Sequence, residues 1–160
     1  MSLNIVPAYD TPDAVGELFT EYTNMLVELD PAFAQYLVIQ NYDEEIKHLE
    51  GKYGQPWGRL YLVYCDGTLA GCIGLRKLDA ERCEMKRLYV RPRFRGKRIG
   101  EQLVEKIIAD AKEIGYQHML LDTLPPLKSA IHMYRKLGFY DIPCYNDSPI
   151  DTTIFMPLDL

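Results

Sequence analysis

One junction restricts the fold more than any other feature of this chain. The segment Glu84-Met85-Lys86-Arg87-Leu88-Tyr89-Val90 runs through Arg91-Pro92-Arg93-Phe94 into Arg95-Gly96-Lys97-Arg98-Ile99-Gly100, an order that reads as strand, loop, glycine-bearing turn and helix. The helix is long, because Ile99, Leu103, Ile107 and Ala111, widened by Val104 and Ile108, form a core-facing stripe that Gly115 ends. Such a junction aims successive backbone N–H groups and the positive end of the helix dipole at one point, where phosphate oxygens are natural occupants. The charge agrees. Residues 82 to 98 hold eight of the eighteen Lys and Arg residues and one acid, Glu84, so the segment carries +7 and the remainder −12 within a net charge of −5. The plainer alternative for a basic glycine turn is a solvated loop, since short motifs also arise by chance.

The rest of the chain supplies the elements around this junction. Leu3 to Tyr9 predicts a short strand. Thr11-Pro12-Asp13 offers a helix start, and Val15, Leu18, Phe19, Tyr22, Leu26 and Leu29 follow at helical spacing to Asp30-Pro31. Residues 32 to 53 read as one or two short helices, acidic on the outside. From Arg59 the period changes to two: Leu60–Cys65, a turn at Asp66-Gly67, Leu69–Leu75 and Arg82–Val90 read as three hairpin-connected strands. His118–Asp122 is a short strand, Pro126–Leu137 a helix stopped by Gly138, and Phe139–Ile142 and Thr153–Leu158 two last strands.

Several function classes are set aside by composition. At 160 residues, 48% apolar and 26% charged, the chain reads as one globular domain over residues 1–160, large enough to bury a core without metals or disulfides. It has no apolar run near the roughly 18 residues of a membrane span and no signal-peptide pattern, so a cytoplasmic protein is expected. Cys65, Cys72, Cys83 and Cys144 lack CxxC spacing and His48, His118 and His132 are scattered, so no metal, disulfide or thiol nucleophile is expected. The positive residues converge on a glycine turn instead of forming a broad stripe with stacking aromatics, which argues against nucleic acid as a partner.

Three patterns in order resemble one family. They are the strand ending Leu88-Tyr89-Val90, the turn Arg95-Gly96-Lys97-Arg98-Ile99-Gly100, and Ala130-Ile131-His132-Met133-Tyr134-Arg135-Lys136-Leu137-Gly138-Phe139 about thirty residues on. Together they look like the signature of the GNAT superfamily of acetyl-CoA-dependent N-acetyltransferases, over residues 82 to 140. Two positions depart from the pattern: Arg98 stands where the middle glycine of the turn is usual, and Leu127 where an Asn often precedes the tyrosine by seven positions.

The resemblance implies a mixed α/β fold: a largely antiparallel sheet of six to seven strands with a central parallel pair that splays apart, flanked by about four helices. It implies acetyl-CoA as cosubstrate, with pyrophosphate held by the backbone from Gly96 through Lys97, Arg98 and Ile99 to Gly100. Arg93, Arg95, Lys97 and Arg98 would supply positive charge, and the pantetheine arm would pair with the backbone of Leu88, Tyr89 and Val90 like an added strand. Glu84, six residues before Val90, takes the place of a general base, and Tyr134 that of the general acid for the departing thiolate. The alternatives are a surface Glu84 paired with Lys86 or Arg87, and a Tyr134 that is only a buried aromatic. The acceptor implied is a primary amine of a small molecule ahead of a protein amine, with a cationic amine favoured by the acidic surplus elsewhere. A homodimer is compatible with the resemblance, and a non-catalytic acyl-CoA sensor is the competing function.

Overall fold

The computed structural model describes residues 1–31, 42–141 and 154–160. Its centre is a six-stranded sheet in the order β1 (Leu3–Pro7), β2 (Arg59–Cys65), β3 (Thr68–Lys77), β4 (Arg82–Val90), β5 (His118–Thr123) and β6 (Ile154–Asp159). All neighbours are antiparallel except β4 and β5. The β2–β3 turn uses Asp66 and Gly67, both at positive φ (50° and 82°), the geometry that matches the twist of a tight hairpin.

Two apolar layers sandwich the sheet. On one face, Cys83 and Met85 pack with Ile99, Leu103 and Ile107 of α4 (Ile99–Ile114) and with Tyr134 of α5 (Lys128–Lys136). On the other, Leu60, Leu62, Cys72 and Tyr89 pack with Val15, Leu18 and Phe19 of α1 (Pro12–Leu29) and Tyr53 of α3 (Leu49–Tyr53). The short α2 (Tyr42–Lys47) precedes α3. Cys65, Cys72 and Cys83 are buried, and burial pushes the Cys72 and Cys83 thiols up to about 12. Cys144 lies outside the described residues.

Two expectations change. Phe139 to Asp141 join no strand ladder, although the Tyr140 N–H donates to the Pro157 carbonyl at 3.1 Å. Phe139 packs instead on the Tyr134 ring (centroids 5.8 Å apart) as the chain leaves α5 at Gly138; Ile142 and Thr153 lie outside the described residues. The helices before residue 53 are not acidic only on the outside, because Glu45 is buried. Its carboxylate accepts from Arg87 Nε at 2.8 Å and Nη2 at 3.0 Å, from the Tyr53 hydroxyl at 3.1 Å, and from Lys52.

That cluster fixes β4. Arg87 is a non-glycine residue at φ 60°, where the β3–β4 register slips between Cys72 and Gly74. An extra residue there bends the strand, and the guanidinium stays charged because Glu45 faces it. Burial alone would raise the Glu45 carboxyl, but Arg87 and Lys52 outweigh it and hold it at about 2, below the ordinary 4.5. A depressed native pKa contributes stability that is present above about pH 4.5 and is lost as pH falls towards about 2. Glu45→Gln leaves Arg87 without that carboxylate and is expected to cost about 3–5 kcal/mol at neutral pH, read by urea unfolding. The difference from wild type should shrink as the pH falls through that window. A loss below about 1 kcal/mol, the scale of an exposed pair, would show that the cluster is not a structural clamp.

Candidate active site

The parallel pairing of β4 with β5 covers only Arg82–Glu84 against His118–Leu120. Beyond it β4 runs on to Val90 and β5 to Thr123 without pairing to each other, so the sheet forks at its centre. A cavity of about 710 Å³ fills the fork and is lined from both faces: Tyr22, Met25 and Leu26 of α1 on one side, Phe94, Ile99 and Gly100 of the turn and α4 on the other, with α5 closing it through Ala130, Met133 and Tyr134.

At the turn, Gly96 takes φ 80° and Arg98 φ 62°, both left-handed. The first helical hydrogen bond within α4's entry runs from the Gln102 N–H to the Arg98 carbonyl (3.2 Å), which leaves the N–H groups of Ile99, Gly100 and Glu101 as the helix's orphan donors. Neither glycine carries a side chain to obstruct them. A Cβ at Gly96 would meet nothing within 4 Å, and one at Gly100 would stand 3.7 Å from Val90 Cγ2, on the cavity wall. The Arg98 side chain is turned onto the helix, where Nε donates to Glu101 at 2.7 Å. The residue that departs from the motif therefore leaves the donors clear. A phosphate-bearing ligand fits this cradle, and the open β4 edge fits an extended amide-containing arm.

The cavity lining includes Leu88, Tyr89, Val90, Arg95, Gly96, Arg98, Ile99 and Gly100 but not Arg93 or Lys97. Those two cations lie over the Phe94 ring, 5.0 and 5.7 Å from its centroid. Arg95 Nε donates to the Val90 carbonyl at 2.9 Å. Much of the basic segment is thus committed internally. Arg91 clamps Glu21 of α1 (3.1 and 2.8 Å) and also Glu17, Arg87 holds Glu45, and Arg82 holds Asp79 at 2.7 Å.

Tyr134 is buried on the cavity wall, and its hydroxyl has no hydrogen-bond partner among the described residues. Burial, with Tyr22 and Asp122 nearby, holds the phenol far above its usual range. It stays protonated at ordinary pH, with its O–H available for a hydrogen bond. Glu84, 1% exposed, sits at the last paired position of the fork and does not itself line the cavity. Its Oε1 accepts from Arg76 Nε at 2.7 Å, with Lys86 Nζ at 3.8 Å, so its main partner is neither Lys86 nor Arg87 but the residue opposite it on β3.

Three cavity residues were not singled out by sequence. Tyr22 stacks on Tyr89 (centroids 5.9 Å apart, 8° between planes), and its phenol is pushed up to about 12, mainly by burial. Asp122, the next-to-last residue of the apolar strand β5, lines the cavity, and an acid in such a run was the available signal. Lys86 lines the cavity from β4.

A profile of the acetyltransferase (GNAT) family matches residues 19–139. An uncharacterised N-acetyltransferase of Dictyostelium discoideum is 34% identical across the whole of both chains. Among solved structures, an acetyltransferase from Streptococcus agalactiae superposes with a TM-score of 0.80 at 20% identity, covering 99% of this chain and 98% of that one. The PaiA N-acetyltransferase from Thermoplasma acidophilum, in complex with coenzyme A, superposes over all of both chains with a TM-score of 0.73 at 19% identity.

The left-handed Arg98 generates a direct test. Arg98→Gly removes about 1 kcal/mol of backbone strain and one partly buried ion pair, while Glu101 keeps its bond from Lys136 Nζ at 2.9 Å. The variant is expected to unfold at the same urea concentration as wild type or a higher one. A clearly lower midpoint would mean that the Arg98 side chain, not the backbone turn, holds the start of α4.

Proposed function

The chain belongs to the acetyltransferase (GNAT) family, and on that premise we propose that it transfers an acetyl group from acetyl-CoA directly to the primary amine of a small molecule. The observation that carries this reading is the central fork, which joins a phosphate cradle on one face of the sheet to a cavity reaching α1 on the other.

Each step has a candidate residue. The N–H groups of Ile99, Gly100 and Glu101 hold the pyrophosphate, with Arg95 adding charge at the rim. The β4 edge from Leu88 to Val90 takes the pantetheine amides as an added strand would. A primary amine is mostly protonated at neutral pH, with a reference pKa of about 10.4 for a lysine-type amine, so it must lose a proton before it attacks. We assign that proton to Glu84, through water, because it stands at the vertex of the fork. Asp122 is the competing base, since it lines the cavity directly. The amine nitrogen attacks the thioester carbonyl carbon and gives up its second proton to solvent through the base, the carbon–sulfur bond breaks, and the Tyr134 hydroxyl donates a hydrogen bond to the departing thiolate and relays a proton to it that solvent restores.

Tyr134→Phe keeps the ring and its packing and is expected to lower turnover by roughly 10²- to 10⁴-fold with acetyl-CoA binding nearly unchanged. An active Tyr134→Phe enzyme would remove the acid role. The two carboxylates separate by pH profile: the variant of the true base, Glu84→Gln or Asp122→Asn, should lose most at low pH and recover as the free amine becomes abundant. If both keep wild-type profiles, neither is the base. Gly100→Ala places a methyl group in ordinary contact with Val90 and towards the cradle; it should leave stability intact and weaken acetyl-CoA binding, measured by calorimetry. Unchanged affinity would move the pyrophosphate away from this turn.

A further inference from the structure

We propose that the acceptor is a small amine that also carries a carboxylate, as an amino acid does, and that Lys86 receives that carboxylate. The inference rests on the acetyl-transfer reading above. Lys86 follows the vertex of the fork by two residues, on the face opposite α4: it alternates with Met85, which packs against Ile99 and Leu103, and it stands across from Gly74, against which the Tyr53 ring of α3 lies. It therefore points away from the phosphate cradle, into the part of the cavity that meets α1.

Among the described residues its charge has no close counter-charge. The Lys86 side chain is 8% exposed, and the residue lines the cavity. The nearest carboxylate oxygen among those residues, Glu84 Oε1, is 3.8 Å off, beyond hydrogen-bonding range, and is held by Arg76 at 2.7 Å. Among the described residues the ammonium makes no hydrogen bond, although it has three donors to place. Around it, among the described residues, Arg76 and Lys86 face Glu84 while Arg87 and Lys52 face Glu45. The Lys52 ammonium is pulled down to about 8 by burial first and by the charges of Lys86 and Arg87, against the pull of Glu45. An anion is what this end of the cavity can accept at least cost.

Across the fork, β5 presents Asp122 to the same cavity. A cation on one strand and a carboxylate on the other complement a zwitterion, ammonium towards β5 and carboxylate towards β4. A purely cationic amine, favoured by the chain's overall charge, would meet Lys86 without compensation. Of the acids around the site, Glu17 and Glu21 are bound to Arg91, Glu45 to Arg87 and Glu101 to Arg98.

The test is CoA release from acetyl-CoA with matched acceptors: amino acids, their amides, and the corresponding amines without a carboxyl group. The wild-type protein should prefer an amino acid over its amide by about 10-fold or more in kcat/KM. Lys86→Met should raise KM for the amino acid by about 10- to 100-fold, the scale of a lost charged hydrogen bond, with little change for the amide, and Lys86→Arg should restore part of the loss. Retained acetyl-CoA binding by calorimetry shows that the variants are folded, and the wild-type comparison needs no variant. Equal or better turnover of amides or simple amines overturns the carboxylate assignment and leaves acetyl transfer standing. Acetyl-CoA binding with no turnover of any acceptor overturns both.

Discussion

The buried pair between Arg87 and Glu45 is the interaction on which the site depends. Arg87 occupies a left-handed conformation at a bulge, an arrangement that few non-glycine side chains adopt without outside support. Glu45 supplies the support from α2, and the Phe19 ring lies 5.6 Å below the guanidinium. Neither charge would stay buried alone. Together they bend β4 between the start that pairs with β5 and the end that pairs with β3 alone, and Arg91 then ties that end to Glu21 on α1. The fork, the cavity and the position of the α4 N-terminus all follow from where β4 is made to go.

This places a structural demand inside a segment whose charge first looks purely functional. Of the positive residues between 82 and 98, Arg82, Arg87, Arg91 and Arg98 hold acids of the same chain, and Arg93 and Lys97 rest on Phe94. The ligand cradle is mainly backbone. Its positive potential comes from helix N–H groups, whose direction is fixed by the fold and costs no side-chain entropy when a ligand arrives.

Local pattern was sufficient wherever neighbours in sequence decide the structure. The strand Arg82–Val90, the α4 stripe with its Gly115 stop, and the Asp66-Gly67 hairpin are all local matters, and they stand where periodicity and turn chemistry put them. Of the expected site residues, Leu88, Tyr89, Val90, Arg95, Gly96, Arg98, Ile99, Gly100 and Tyr134 line one cavity, and Glu84, Arg93 and Lys97 do not. What sequence could not supply were pairings across distance. Glu45 reads as a surface acid until Arg87, 42 positions on, is folded beside it, and Glu84 meets Arg76 only through strand register. Lys86 and Asp122 acquire meaning only as opposite walls of a gap between strands that separate after three pairs.

That gap has a further consequence. Unpaired strand edges ordinarily invite other polypeptides to add on, and proteins protect them with charge, bulges or covering elements. Here the edge lies in the middle of the sheet, closed at one end by Glu84 and Leu120 and walled by helices on both faces. A guest strand bearing side chains above and below would have both walls to clear, so the width of the gap favours a slender, amide-bearing arm before any chemical group is read.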